Sequence, residues 1–236
     1  MGRSCGGDGS AQSEKEWATR EARVRDTDQA GAADLTGTPA RGDTSAVDAF
    51  RPIDPIVILG HGASGTAASM RPWVEALASR GLESRAIDLP KGSAERAIPV
   101  FDEAIAAARG SVVAGGHSFG GRVASFAVAN RLASGDARIA GLVLLSYPLH
   151  RPGQPETWAD RTAHWRRLRL PVLLLSGESD PFARLDLLRE AVDLLPDGQL
   201  VTFPRVAHGL GPVLDDAADR AAAFIRALTA GDRPGS

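Results

Sequence analysis

The chain has 236 residues, 43% of them hydrophobic and 24% charged, with a formal net charge of -2 at pH 7. That balance fits a chain with one sizeable core, and so small a charge removes the electrostatic case for a nucleic-acid partner or an anionic membrane surface. A single cysteine, Cys5, excludes an internal disulfide and a cysteine-based metal site.

Residues 1–50 are rich in Gly, Ala, Ser, Thr, Asp, Glu and Arg, with Trp17, Val24, Leu35 and Phe50 scattered without period. Such a segment buries too little apolar surface to offset its ordering entropy, so a disordered N-terminal tail is expected there. Cys5 reads as an incidental thiol within it. No apolar run approaches a membrane span and the first thirty residues hold no signal-peptide core, so the expected location is cytoplasmic.

The expected folded domain covers 51–230, followed by a disordered C-terminal tail over 231–236. Its pattern is short apolar runs alternating with amphipathic stretches. Strands are predicted over 56–59, 84–87, 112–114, 142–145, 172–175 and 200–203, because near-continuous apolar runs suit strands buried on both faces. Helices are predicted over 72–80, 94–109, 121–133, 184–195 and 214–228. This alternation implies right-handed crossovers and an α/β fold: a three-layer α/β/α sandwich with about six mostly parallel strands. Ligands in such sheets bind outside the carboxyl ends of the strands. The residues there are 61–65, 88–92, Ser118, 147–150, Asp180 and His208.

Gly116-His117-Ser118-Phe119-Gly120 fits the G-x-S-x-G elbow, in which a strand turns sharply into a helix and exposes a serine hydroxyl. The pentapeptide alone is a weak signal. Its setting, a buried strand before and a helix after, makes Ser118 the candidate nucleophile. A serine needs a base to remove its proton. Of the five histidines, His150, His164 and His208 follow Ser118, and His208 falls between the last strand and the last helix. Asp180, before Pro181 in a turn after the fifth strand, is the preferred acid, with Glu178 as the fallback. The backbone N–H groups of Phe119 and Ala63 are the expected oxyanion donors. His117 should point away from Ser118 and pack, since neighbours on a strand face opposite sides.

A rival reading exists. Gly60-His61-Gly62-Ala63-Ser64-Gly65 also satisfies G-x-G-x-x-G, and Asp88 follows about twenty residues on, as in NAD(P)-dependent oxidoreductases. That fingerprint needs a helix to begin within the glycines, whereas Pro72 belongs in a first turn near Arg71.

Beyond single motifs, the sequence resembles the α/β-hydrolases. Within them it is similar to a small lidless group of bacterial hydrolase-like proteins, testis-expressed hydrolase-like proteins and a subunit of the nonspecific-lethal chromatin-acetylation complex. The resemblance rests on Leu59-Gly60-His61-Gly62-Ala63, Gly116-His117-Ser118-Phe119-Gly120-Gly121-Arg122, Ser146-Tyr147-Pro148-Leu149-His150 and Gly177-Glu178-Ser179-Asp180-Pro181-Phe182. It implies Ser118, Asp180 and His208 as triad positions and a minimal or absent cap, residues 148–169 being too few for a helical lid. His61, Gly62, Tyr147 and His150 are then expected to bind substrate, with Trp158 and Trp165 completing a wall. Arg151, Arg161, Arg166 and Arg167 read as a solvated surface rather than a site for an acidic substrate.

The expected activity is hydrolysis of a small ester or thioester through an acyl-serine, with a small-molecule acyl substrate and no metal or cofactor. A non-catalytic scaffold that keeps the fold is the alternative from another class. The sequence leaves the oligomeric state open.

Overall fold

The structure, a computed structural model, describes residues 55–229; the tails expected at 1–50 and 231–236, and Cys5, lie outside the described residues. Six strands form one sheet: β1 (Ile56–Gly60), β2 (Ser84–Ile87), β3 (Val112–His117), β4 (Ile139–Leu145), β5 (Val172–Gly177) and β6 (Gly198–Phe203). Their order is β2-β1-β3-β4-β5-β6, and every pairing is parallel. The helices are α1 (Arg71–Ala78), α2 (Ala94–Ala107), α3 (Phe119–Ala133), α4 (Trp158–Thr162), α5 (Leu185–Val192) and α6 (Leu214–Thr229).

Alternation along each strand sorts the core into two layers. Ile58, Ala114, Leu142, Leu144, Val172 and Leu174 pack with Phe101 and Ile105 of α2, Val123 and Val128 of α3 and Leu188 of α5. Val57, Leu59, Val113, Val143, Leu173 and Leu175 face the opposite way, against Trp73 and Leu77 of α1 and Phe224 and Ile225 of α6. The result is the three-layer sandwich expected from the sequence. The edge strand β2 is half-buried throughout, as its mixed sequence Ser84-Arg85-Ala86-Ile87 allows. β3 runs three residues beyond the apolar run that announces it, and α3 begins at Phe119, because Ser118 alone makes the turn between them.

Between β4 and β5 the chain leaves the sheet and returns with only the five-residue α4 and two 3₁₀ turns, Pro155–Thr157 and Trp165–Arg167. Buried polar contacts fasten this excursion. The Tyr147 hydroxyl donates to the Arg161 carbonyl (3.0 Å), and the Trp165 ring meets Tyr147 edge-on at 5.0 Å. Ser125 of α3 donates its hydroxyl proton to the Arg122 carbonyl (2.8 Å), so its oxygen accepts from His164 Nε2–H at 2.8 Å. Phe126 stacks on the His164 ring at 3.8 Å.

That bond leaves His164 Nδ1 buried without a partner. Protonation there would place an unpaired charge in the core. Burial, then the charges of Arg167 and Arg122, push the pKa from 6.5 down to about 4. Among the described residues, no helix is long and apolar enough to cross a membrane.

The unfolded chain therefore takes up a proton at His164 near its ordinary pKa, while the folded chain resists until about 4. Stability from this group is complete above the unfolded value and is lost as pH falls through that window. The expected outcome is a loss of roughly 3 kcal/mol between neutral pH and pH 4. Urea midpoints measured across the range should show it, with a shallower profile in His164→Asn.

Candidate active site

Three glycines set the backbone where β1, β3 and α3 meet. A Cβ on Gly120 would lie 2.2 Å from the Gly60 carbonyl carbon and oxygen, and one on Gly116 would lie 2.4 Å from the same oxygen. This contact draws the start of α3 onto β1 and leaves the turn a single residue. Ser118 takes it, at φ 52° and ψ -115°, a region rare for any residue with a Cβ. The Ser118 N–H donates to the Leu145 carbonyl (2.8 Å) and the Arg122 N–H to the Ser118 carbonyl (3.1 Å).

The serine hydroxyl lies 2.7 Å from His208 Nε2, and His208 Nδ1 lies 2.8 Å and 3.0 Å from the two Asp180 carboxylate oxygens. Acceptor chemistry fixes the protons. An ionised carboxylate can only accept, so Nδ1 carries the hydrogen and the neutral ring offers a lone pair at Nε2 to the Ser118 hydroxyl. The Asp180 side chain is fully buried and that of His208 is 23% exposed. Asp180 also accepts from the Phe182 N–H (2.8 Å), which locks its rotamer. Glu178, the fallback acid, accepts instead from the Thr202 hydroxyl (2.8 Å) and takes no part.

His117 departs from its expected orientation away from the site. Its Nε2–H donates to the His208 carbonyl (3.1 Å), and the two rings lie 5.2 Å apart. Burial, only partly offset by that hydrogen bond, keeps its pKa below the ordinary value. The sequence reading missed this brace, because the two residues lie far apart along the chain.

Ser118 opens into a cavity of about 210 Å³ lined by Ala63, Phe119, Arg122, Arg151, Arg161 and Phe182, with Pro148 and Pro152 completing its walls. Phe119 is the first residue of α3, so its N–H has no acceptor within the helix. Ala63, in the exposed loop after β1, shares the cavity with it.

None of the four residues expected to bind substrate lines this cavity, though Gly62 stands beside Ser118, where a Cβ on it would lie 3.9 Å from the serine Cβ. His61 is buried, its Nδ1–H donating to the Gly62 carbonyl (2.7 Å) and its Nε2 accepting from the Leu89 N–H (2.9 Å). Gly62 packs under the His117 ring, where a Cβ would sit 3.0 Å from Nδ1. Tyr147 is buried with its hydroxyl committed to Arg161. His150 donates from Nδ1 to the Arg151 carbonyl (2.9 Å) and accepts at Nε2 from the Arg184 N–H (3.0 Å). The two imidazoles have both nitrogens filled by backbone, which makes them braces for the neighbouring loops. Trp165 is likewise wholly buried. Arg122 and Phe182 take the places in the wall. Arg122 could have been found one helical turn after Ser118, on the same face of α3.

The dinucleotide reading fails on local geometry. After the glycines the chain makes a turn and a 3₁₀ segment, Ala67–Met70, and α1 starts only at Arg71. Asp88 accepts from the Ala67 N–H (2.7 Å), bracing the loop where a ribose contact would be needed. Among the described residues, no group of three or more His, Cys, Asp or Glu is placed to hold a metal ion.

A parallel sheet with an elbow serine at its centre defines a hydrolase-type α/β protein. The alpha/beta hydrolase domain family matches residues 54–230, and the chain belongs to that family. Solved structures share the fold at low identity. A monoacylglycerol lipase of Paleococcus ferrophilus is 18% identical with a TM-score of 0.60, covering 74% of this chain and 94% of its own. Est1E from Butyrivibrio proteoclasticus is 16% identical with a TM-score of 0.63, covering 76% and 90%. An esterase of Pyrococcus furiosus is 16% identical with a TM-score of 0.60, covering 73% and 80%.

Because the Gly60–Gly120 contact is backbone on backbone, Gly120→Ala can be accommodated only by moving β1 or α3. A loss of about 3 kcal/mol is expected, readable as a lowered midpoint in chemical denaturation.

Proposed function

We propose that the protein is a serine hydrolase of small carboxylic esters or thioesters, working through an acyl intermediate on Ser118. The observation that carries this reading is the unbroken relay from the Ser118 hydroxyl through His208 to Asp180, opening into a cavity. Hydrolase activity is what membership of the family supports, and the similar structures include a lipase and esterases.

In this mechanism Ser118 Oγ bonds to the carbonyl carbon as its proton passes to His208 Nε2. Asp180, still ionised, stabilises the imidazolium. The N–H groups of Phe119 and Ala63 receive the developing oxyanion. The intermediate collapses, the bond to the leaving oxygen or sulfur breaks, and that atom takes the proton from His208. Water then attacks the acyl-serine by the same route, releasing the acid and restoring the serine.

Capacity favours small acyl groups. The cavity of about 210 Å³ falls below the roughly 300–1,000 Å³ of drug-sized ligand sites. The short cover between β4 and β5 supports the narrower reading carried by Ser146-Tyr147-Pro148-Leu149-His150, membership of the small lidless group.

A fluorophosphonate probe should label the wild type and leave Ser118→Ala unlabelled. Asp180→Asn should keep the fold while lowering kcat on a short p-nitrophenyl ester by on the order of 10³–10⁴-fold, because the amide favours the wrong imidazole tautomer. Glu178→Gln should behave as wild type. Labelling that persists in Ser118→Ala would remove the nucleophile assignment. A folded wild type that neither labels nor turns over esters would favour the scaffold.

A further inference from the structure

Several arginines elsewhere in the structure find carboxylates, though others do not. Arg80 pairs with Asp215 and Asp219, Arg131 with Asp102 and Asp136, Arg138 with Asp136, and Arg184 with Asp186. The cavity beside Ser118 gathers three without such a partner. Arg122, Arg151 and Arg161 all line it, and among the described residues none of the three has a carboxylate within ion-pair distance. Arg161 spends one donor on the Pro148 carbonyl (3.0 Å). The Arg122 guanidinium lies over the Phe126 ring at 5.6 Å, and its Nε is buried with no hydrogen-bond partner.

Arg122 and Arg161 are half-buried and Arg151 is exposed, and three like charges around one small space repel one another. Burial and then the charges of Arg122 and Arg151 hold the Arg161 pKa below its ordinary value. Glu95 feels Arg122 only weakly. Its carboxyl is held low first by its own backbone N–H and the Ser93 hydroxyl, and it makes no ion pair with the arginine. Arg166 and Arg167, grouped with these arginines by sequence, do not line the cavity.

Resting on the hydrolase reading above, we propose that the natural ester carries an anionic group, a carboxylate or a phosphate, bound in the cavity by Arg122, Arg151 and Arg161. Guanidinium forks are suited to such oxygens, since each can offer paired N–H donors. An anion there offsets the crowding of the three cations and orients the reacting carbonyl toward Ser118. Arg122 also stands in the first turn of α3, where the helix adds positive potential.

The test compares matched esters by titrating released acid. One pair is monoethyl adipate against ethyl hexanoate, which places a carboxylate on the acyl side. The other is 2-acetoxyethyl phosphate against 2-acetoxyethanol, which places a phosphate on the leaving side. Wild type should favour the anionic member of at least one pair by about 10- to 100-fold in kcat/KM, and the pair that responds identifies the anion. Rising ionic strength should erode the preference. Arg122→Gln/Arg161→Gln should lower the anionic-to-neutral ratio at least tenfold, and Arg122→Lys/Arg161→Lys should recover part of it. Both variants are first checked for the wild-type denaturation midpoint, and the wild-type ratio stands as a test if they fail to fold. A wild type that labels at Ser118 yet treats both members of each pair alike would overturn the anionic-substrate inference and leave the hydrolase reading intact. Absence of both labelling and turnover would overturn the two together.

Discussion

Gly60 lies against Gly116 and Gly120 at a separation that a Cβ would violate, and the site depends on that contact. It brings α3 down onto β1, compresses the turn after β3 into one residue, and holds Ser118 at a positive φ. A serine in this conformation carries backbone strain worth about 1–3 kcal/mol, which surrounding structure must over-determine. Here the hydrogen bonds from Ser118 N–H to Leu145 and from Arg122 N–H to Ser118 do so, backed by the buried layers on both faces of the sheet. The hydroxyl is then fixed at the carboxyl edge, where the loops after β5 and β6 deliver Asp180 and His208.

The histidines divide their work through proton placement. His208 faces a carboxylate and so keeps a free lone pair for the serine. His61 and His150 have both nitrogens satisfied by backbone, and His117 lends its proton to the carbonyl of His208. Identical side chains thus become a partner for the serine, a brace for that partner, and struts for neighbouring loops. Neighbouring polar groups decide which. His164 differs again, since one of its nitrogens has no partner and must remain unprotonated for the excursion to stay packed.

Much of this was legible in the sequence because the signals were local. Apolar runs located six strands, and the order Ser118, Asp180, His208 placed three side chains at the ends of β3, β5 and β6, where parallel topology must gather them. The ends of elements were less legible. β3 extends through Gly115-Gly116-His117, residues that look like loop when only hydrophobicity is read. The cavity wall was misread for a related reason. Tyr147 and His150 are polar-tipped residues at a strand end, which resembles a binding position, but their partners Arg161 and Arg184 lie 14 and 34 positions away. Burial of a polar group is a property of what folds over it, and that information is not local.

The excursion between β4 and β5 carries Arg151 and Arg161, while the relay stands on β3, β5 and β6. The two parts meet at the cavity and at anchoring contacts such as His150 N–H to the Phe182 carbonyl and Ser125 to His164. Substitutions at exposed positions along 148–169, Arg151 among them, can therefore reshape what is held there while Ser118, His208 and Asp180 keep their places. In such an arrangement bond cleavage is inherited with the sheet, and preference is a trait that the exposed positions of one surface stretch can acquire or lose.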